Sequence, residues 1–204
     1  MDNYNYLPIA KRINPETLSE GIMDVVLNIE SKGTTFRELD DNLDGKIKIR
    51  IVPTLMDASL VNIWALGLFT NLIPNFTKNE KEAPKVNCII GKFKAKDGIL
   101  RPDDFKIDTT YVRIGVVGKI NLTNEKINLV FRPVPKRAQL FSLGIPMRVV
   151  GTFENHYIIT DPYNIGWFIL RLTYAAYTYI LEKITEKHTP EDGSDICNRD
   201  IINN

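Results

Sequence analysis

The sequence predicts a β-rich α+β protein: a curved antiparallel β-sheet, forming an open groove or a partial barrel, with two longer helices (about 57–73 and 165–187) and one short helix (about 35–43). Three observations predict it. Between Ile107 and Phe131 apolar side chains recur mostly at every second residue, punctuated by Gly118 and by Thr123-Asn124, which is the pattern of consecutive antiparallel strands with one buried face. Lys46, Lys48 and Arg50 alternate with Ile47, Ile49 and Ile51, a strand with one wet and one dry side. Two segments, ASLVNIWALGLFTNLI and IGWFILRLTYAAYTYILEKITEK, abandon the two-residue period.

In chain order, residues 1–20 carry Pro8 and Pro15 and read as an irregular lead-in. A strand follows at about 22–31, with Val25, Leu27 and Ile29 on one face, and Gly33 ends it. Thr34 and Thr35 are candidate caps for the short helix FRELDDNL, with Gly45 as its terminator. The segment from Asp57 to Ile73 reads as a helix capped by Asp57 or Ser59 and stopped by Pro74. It falls short of the roughly 20 apolar residues a bilayer requires. Strands are expected near 86–95, 98–106, 109–121, 125–133 and 146–154, with Lys96-Asp97-Gly98 as a hairpin turn. After Asp161-Pro162, Asn164 caps the second long helix, in which Arg171 argues against a lipid-spanning role. A polar tail, 188–204, closes the chain.

The 204 residues, 44% of them apolar, suffice for a packed core. Twenty-six basic residues against 25 acidic ones leave a net charge of +1, which disfavours nucleic acid as a partner. The amino terminus shows no apolar core of signal-peptide length. Cys88 and Cys197 fit no zinc spacing and leave two buried thiols, one long-range disulfide, or one of each.

Candidate chemistry is sparse. Asp40-Asp41-Asn42-Leu43-Asp44-Gly45 imitates the first half of an EF-hand loop, but the closing position is Ile51, inside a strand. His156 and His188 have no ligand at metal spacing and no nucleophile elbow to serve. No catalytic residue, metal site or cofactor is expected. Pro135-Lys136-Arg137 is a small basic spot, either a solvated loop or a contact for a phosphate headgroup.

The order of segments resembles the carboxy-terminal region of the AsmA family of bacterial envelope proteins. Four stretches carry it: GIMDVVLNIESKGTTFRELDDNLDGKIKIRI (21–51), VNCIIGKFKAKDGIL (86–100), IDTTYVRIGVVGKINLTNEKINLVFRPVPK (107–136) and LGIPMRVVGTFENHYIITDP (143–162). Two positions depart from the family pattern: Val116-Val117 stand where a second glycine precedes Gly118, and His156 stands in place of a proline. The resemblance implies an AsmA-like β-groove domain over 21–162, followed by a helix packed on it (163–187). It implies the periplasmic part of a protein anchored in the inner membrane, the anchor being absent from this chain. It also implies a trough that carries phospholipid acyl chains towards the outer membrane, with membrane contact through the upstream anchor and helix 165–187 as a second candidate contact. Protein partners are not specified. The dry-face candidates are Ile47, Ile49, Ile51, Val112, Ile114, Ile127, Leu129, Phe131, Met147 and Val149. The same side chains would form ordinary core if the two long helices cover them, and the protein would then be a structural or interaction module affecting outer-membrane assembly. An oxidising periplasmic setting further implies a Cys88–Cys197 disulfide tying the tail to the sheet.

Overall fold

The computed structural model describes residues 3–13, 15–16, 19–55, 85–136, 146–160 and 189–198. The long helices expected at 57–73 and 165–187 lie outside the described residues. The alternating segments form one antiparallel sheet of nine strands in chain order: β1 (Tyr4–Asn5), β2 (Glu20–Glu30), β3 (Asp44–Leu55), β4 (Val86–Lys96), β5 (Ile99–Thr109), β6 (Val112–Asn121), β7 (Lys126–Pro135), β8 (Met147–Thr152) and β9 (His156–Thr160). The edge strands β1 and β9 do not pair with each other, so the sheet is open rather than a closed barrel. Among the described residues three helices accompany it: α1 (Leu7–Ile13), α2 (Phe36–Asp41) and α3 (Ser194–Cys197).

The register places apolar residues opposite one another from strand to strand. Ile51 pairs with Ile89, Ile89 with Ile107, and Ile107 with Ile114. A second row runs Val25, Ile49, Gly91, Phe105, Val116, Phe131 and Met147. The ring of Phe105 in this row lies 5.2 Å from that of Phe93 in the next one. A Cβ on Gly91 would come within 2.7 Å of Phe105 and 2.8 Å of Phe93, so glycine leaves the space that both rings use.

Tight connections gather at one end of the sheet. Thr35 caps α2: its hydroxyl accepts from the Glu38 amide at 3.2 Å, and the Glu38 carboxylate accepts from the amides of Thr34 at 2.7 Å and Thr35 at 3.3 Å. These bonds hold the Glu38 carboxyl below its usual range, the Thr34 amide contributing most. Beside α2 sits the two-residue turn Asp97-Gly98, both residues at positive φ (48° and 68°), as a tight hairpin requires. The Asp44 carboxylate accepts from Lys96 Nζ and the Asp97 amide, each at 2.7 Å, which lowers its pKa with Lys96 as the larger cause. The Gly98 amide donates to Leu43 O at 3.2 Å and its carbonyl accepts from the Leu122 amide at 3.0 Å, joining three turns into one rim.

Several elements differ from expectation. The lead-in is not irregular: Asn5 Oδ1 accepts from the Leu7 amide at 2.9 Å at the start of α1, and β1 extends the sheet. Asn42, not Gly45, ends α2, because the chain turns straight into β3. The strand expected from 109 begins at Val112, since the hydroxyl of Thr109 bonds both the amide and the carbonyl of Val112 (3.0 and 2.8 Å) and closes a turn there. β6 passes through Val116 and Val117 without a break, despite the missing second glycine. β9 had no sequence signal beyond a short HYIIT run. The polar tail contains α3, whose Ile196 and Cys197 are buried.

Gly98→Ala is expected to destabilise the fold by about 1–3 kcal/mol, because its backbone is left-handed and a Cβ would lie 2.4 Å from the Asp40 carbonyl. Gly115→Ala, with no atom within 4 Å of the new Cβ, is the control, expected within about 0.5 kcal/mol of the parent in urea unfolding.

Candidate functional site

The two-residue period gives the sheet an apolar face and a polar face. All ten dry-face candidates share the apolar one. Val112, Ile114, Ile127, Leu129, Phe131, Met147 and Val149 are buried and pack together in one cluster with Val116. Ile47, Ile49 and Ile51 are half-buried. Phe93, Phe105, Ile107 and Ile120 continue the same surface beyond those ten; at Phe105 the extra residue in β5, between Leu100 and Phe105, breaks the alternation. Exposure rises across the face, from 2% at Phe131 to 58% at Leu27 and 44% at Ile29 on β2. From β2 to β8 the paired positions of this face hold no charged residue. Such a surface offers no general acid, base or nucleophile. It can bury apolar matter, at about 0.8 kcal/mol per CH₂.

The polar face is organised around a covalent tie. Cys88 at the start of β4 and Cys197 in α3 form a disulfide with Cα atoms 5.7 Å apart and a sequence separation of 109. Cys88, Ile90, Ile196 and Cys197 make a small buried cluster with Val52 against it. Beside the disulfide lies a buried ionic cluster. Lys136 Nζ donates to Asp108 Oδ2 at 2.6 Å, Arg113 Nε to Asp108 Oδ1 at 2.8 Å, and Asn87 Nδ2 to Asp108 Oδ2 at 2.8 Å. Arg113 extends its other two nitrogens to the Asp195 carboxylate at 2.9 and 2.7 Å. The Glu191 carbonyl accepts from Asn87 at 2.6 Å and Lys136 at 3.0 Å. Asp108 and Lys136 are wholly buried, and the polar partners around them offset the desolvation of both charges. Further along the face Arg50 bonds Asp24 at 2.6 Å and the Cys197 carbonyl at 3.2 Å, and Asp24 in turn accepts from the Asn3 amide. Both ends of the described chain are thereby fastened to one side of the sheet.

Lys136 therefore corrects the reading of Pro135-Lys136-Arg137 as a solvated basic spot. Its ammonium is sealed under the tail, because Asp108, 28 residues away, reaches it across β6; Arg137 lies outside the described residues. Asp44, the last acid of the EF-hand-like run, is engaged by Lys96 and the Asp97 amide. Among the described residues no three His, Cys, Asp or Glu gather as a metal site requires, and no helix there is long and apolar enough to cross a membrane.

The curated protein YhjG, an AsmA family protein of Escherichia coli (strain K12), is 27% identical over 135 residues, which make up 66% of this chain and 19% of that protein. The chain is AsmA-like. No family model and no solved structure matches it. The AsmA-like chain thus corresponds to about a fifth of its relative's length, 19%.

Reduction of the Cys88–Cys197 bond, or its replacement by Cys88→Ala with Cys197→Ala, is expected to cost up to about 4–5 kcal/mol in the chain-entropy view, read from urea midpoints with and without reductant. The pH response is also defined. The hydrogen bonds from Arg113 hold the Asp195 carboxyl below its ordinary value of 3.8. A lowered folded-state pKa contributes stability that is fully present above the unfolded value and is lost as pH falls through the folded one. Hydrogen exchange at α3 should be insensitive to pH-dependent docking above about pH 5, once the intrinsic pH dependence of exchange is removed, and protection should fall below pH 3.8. Asp195→Asn should remove much of that acid dependence.

Proposed function

We propose that this AsmA-like chain is a non-enzymatic segment of a bacterial envelope protein whose apolar sheet face takes phospholipid acyl chains between the inner and outer membranes. The observation that carries the reading is the uninterrupted apolar face, left partly open from β2 to β3, where Leu27 and Ile29 are exposed. Acyl chains need a continuous dry surface and no reactive group. The disulfide supports an oxidising compartment, in keeping with a periplasmic location for the region. Family relationship supports the envelope assignment.

A second reading has its own support. Seven of the ten face candidates are buried in one packed cluster, as in a core, which favours a structural or protein-interaction module acting on outer-membrane assembly without lipid.

Native mass spectrometry of the purified chain discriminates the two. Phospholipid adducts are expected, and Leu27→Glu, at an exposed position on the apolar face, should reduce them several-fold while shifting stability by no more than about 0.5 kcal/mol. A lipid-free chain, with organic extraction equally empty, would favour the interaction module.

A further inference from the structure

The polar face holds, at its tight-turn end, a cleft of about 350 Å³ over β6, β7 and β8. Two cross-strand rows build it. Lys119 stands opposite Asn128, which stands opposite Val150; Asn121 stands opposite Lys126, which stands opposite Thr152. Neighbours in such rows are about 5 Å apart at Cβ, and two lysines, three asparagines and Thr152 line the cleft.

Two lysines line this cleft. Lys94, Lys96, Lys106 and Lys136 each reach a carboxylate within 2.9 Å. Lys119 and Lys126 reach none among the described residues, and no carboxylate lines the cleft. The Asn121 Oδ1 accepts from the Asn124 amide at 3.1 Å, which fixes the carboxamide and leaves its NH₂ as a donor at the cleft wall. Val150 supplies an apolar floor, and Tyr157, opposite Val150 on β9 and 62% exposed, prolongs the first row with a ring. The lining residues include two cations and no carboxylate. Two cations suit a phosphate, and the carboxamide and hydroxyl groups suit neighbouring alcohols.

We propose that this cleft binds a phosphate-bearing polyol with the chemistry of a glycerophosphate headgroup. It lies on the side of the sheet opposite the apolar face, so it does not rest on the acyl-chain reading and is tested separately. The source of the ligand is either a lipid headgroup or a soluble glycerophosphate.

The test is a titration of the ¹⁵N-labelled full chain with glycerol 3-phosphate, inorganic phosphate and glycerol, followed through the side-chain NH₂ signals of Asn121 and Asn128. Saturable shifts are expected with glycerol 3-phosphate, smaller ones with inorganic phosphate and none with glycerol. Lys119→Gln with Lys126→Gln should weaken binding by about tenfold or more, while Lys94→Gln leaves it unchanged. The dispersed amide spectrum of each variant reports that it folds. Co-sedimentation with phosphatidylcholine vesicles only when they contain phosphatidylglycerol, lost in the double variant, identifies a lipid headgroup. Shifts with glycerol 3-phosphate and no vesicle binding identify the soluble compound. Absence of saturable shifts with glycerol 3-phosphate, or shifts retained by the double variant, overturns the proposal.

Discussion

The structure depends on strand register. Because side chains alternate between the two faces, slipping any one strand by a single residue would send its isoleucines to the polar side and its lysines to the apolar side. The chain guards against this at the tight-turn end. Asp97-Gly98 fixes β4 against β5 with no spare residue, and Asp44 clasps that turn to the start of β3. Gly98 is bonded in turn to the Leu122 turn, which sets β6 against β7. With these positions fixed, the apolar rows follow, and buried aliphatic side chains such as Ile114 and Val149 each contribute about 1.5–3 kcal/mol.

The polar face answers a different problem. An open sheet with one side in water has little on that side to order a tail. Here a disulfide, an ionic cluster at Asp108 and the Arg50 contact to the Cys197 carbonyl hold residues 189–198 against β4, β5 and β6. Asp108 serves three donors with two oxygens. Covering it excludes water and strengthens each bond, so the tail and the cluster are mutually dependent.

The two faces suggest a division of labour. The apolar face is chemically blank but continuous, and its open β2–β3 side is where apolar matter would have access. The cleft at Lys119 and Lys126 is the reverse: small, charged and hydrogen-bonding. A molecule with an acyl part and a phosphate part has a chemical match for each. The two lie on opposite sides of the sheet.

The alternation in 46–51, 112–116 and 127–131 was legible in the sequence, because a two-residue period is local and needs no knowledge of neighbours. It determined the sheet, its apolar face and the ten residues on that face. The Thr35 cap and the Asp97-Gly98 turn were legible for the same reason, since their chemistry sits within four residues. Tertiary structure alone decided which residues meet over long separations. Lys136 looked like a surface cation until Asp108 was found beneath the tail with it, and Tyr4–Asn5 and His156–Thr160 are too short to announce themselves as strands without the partners that pair with them. An extra residue in β5 hid Phe105 by breaking the period. Cys88 and Cys197 left three thiol arrangements open by spacing alone, and only the fold, by bringing their Cα atoms to 5.7 Å, joined them.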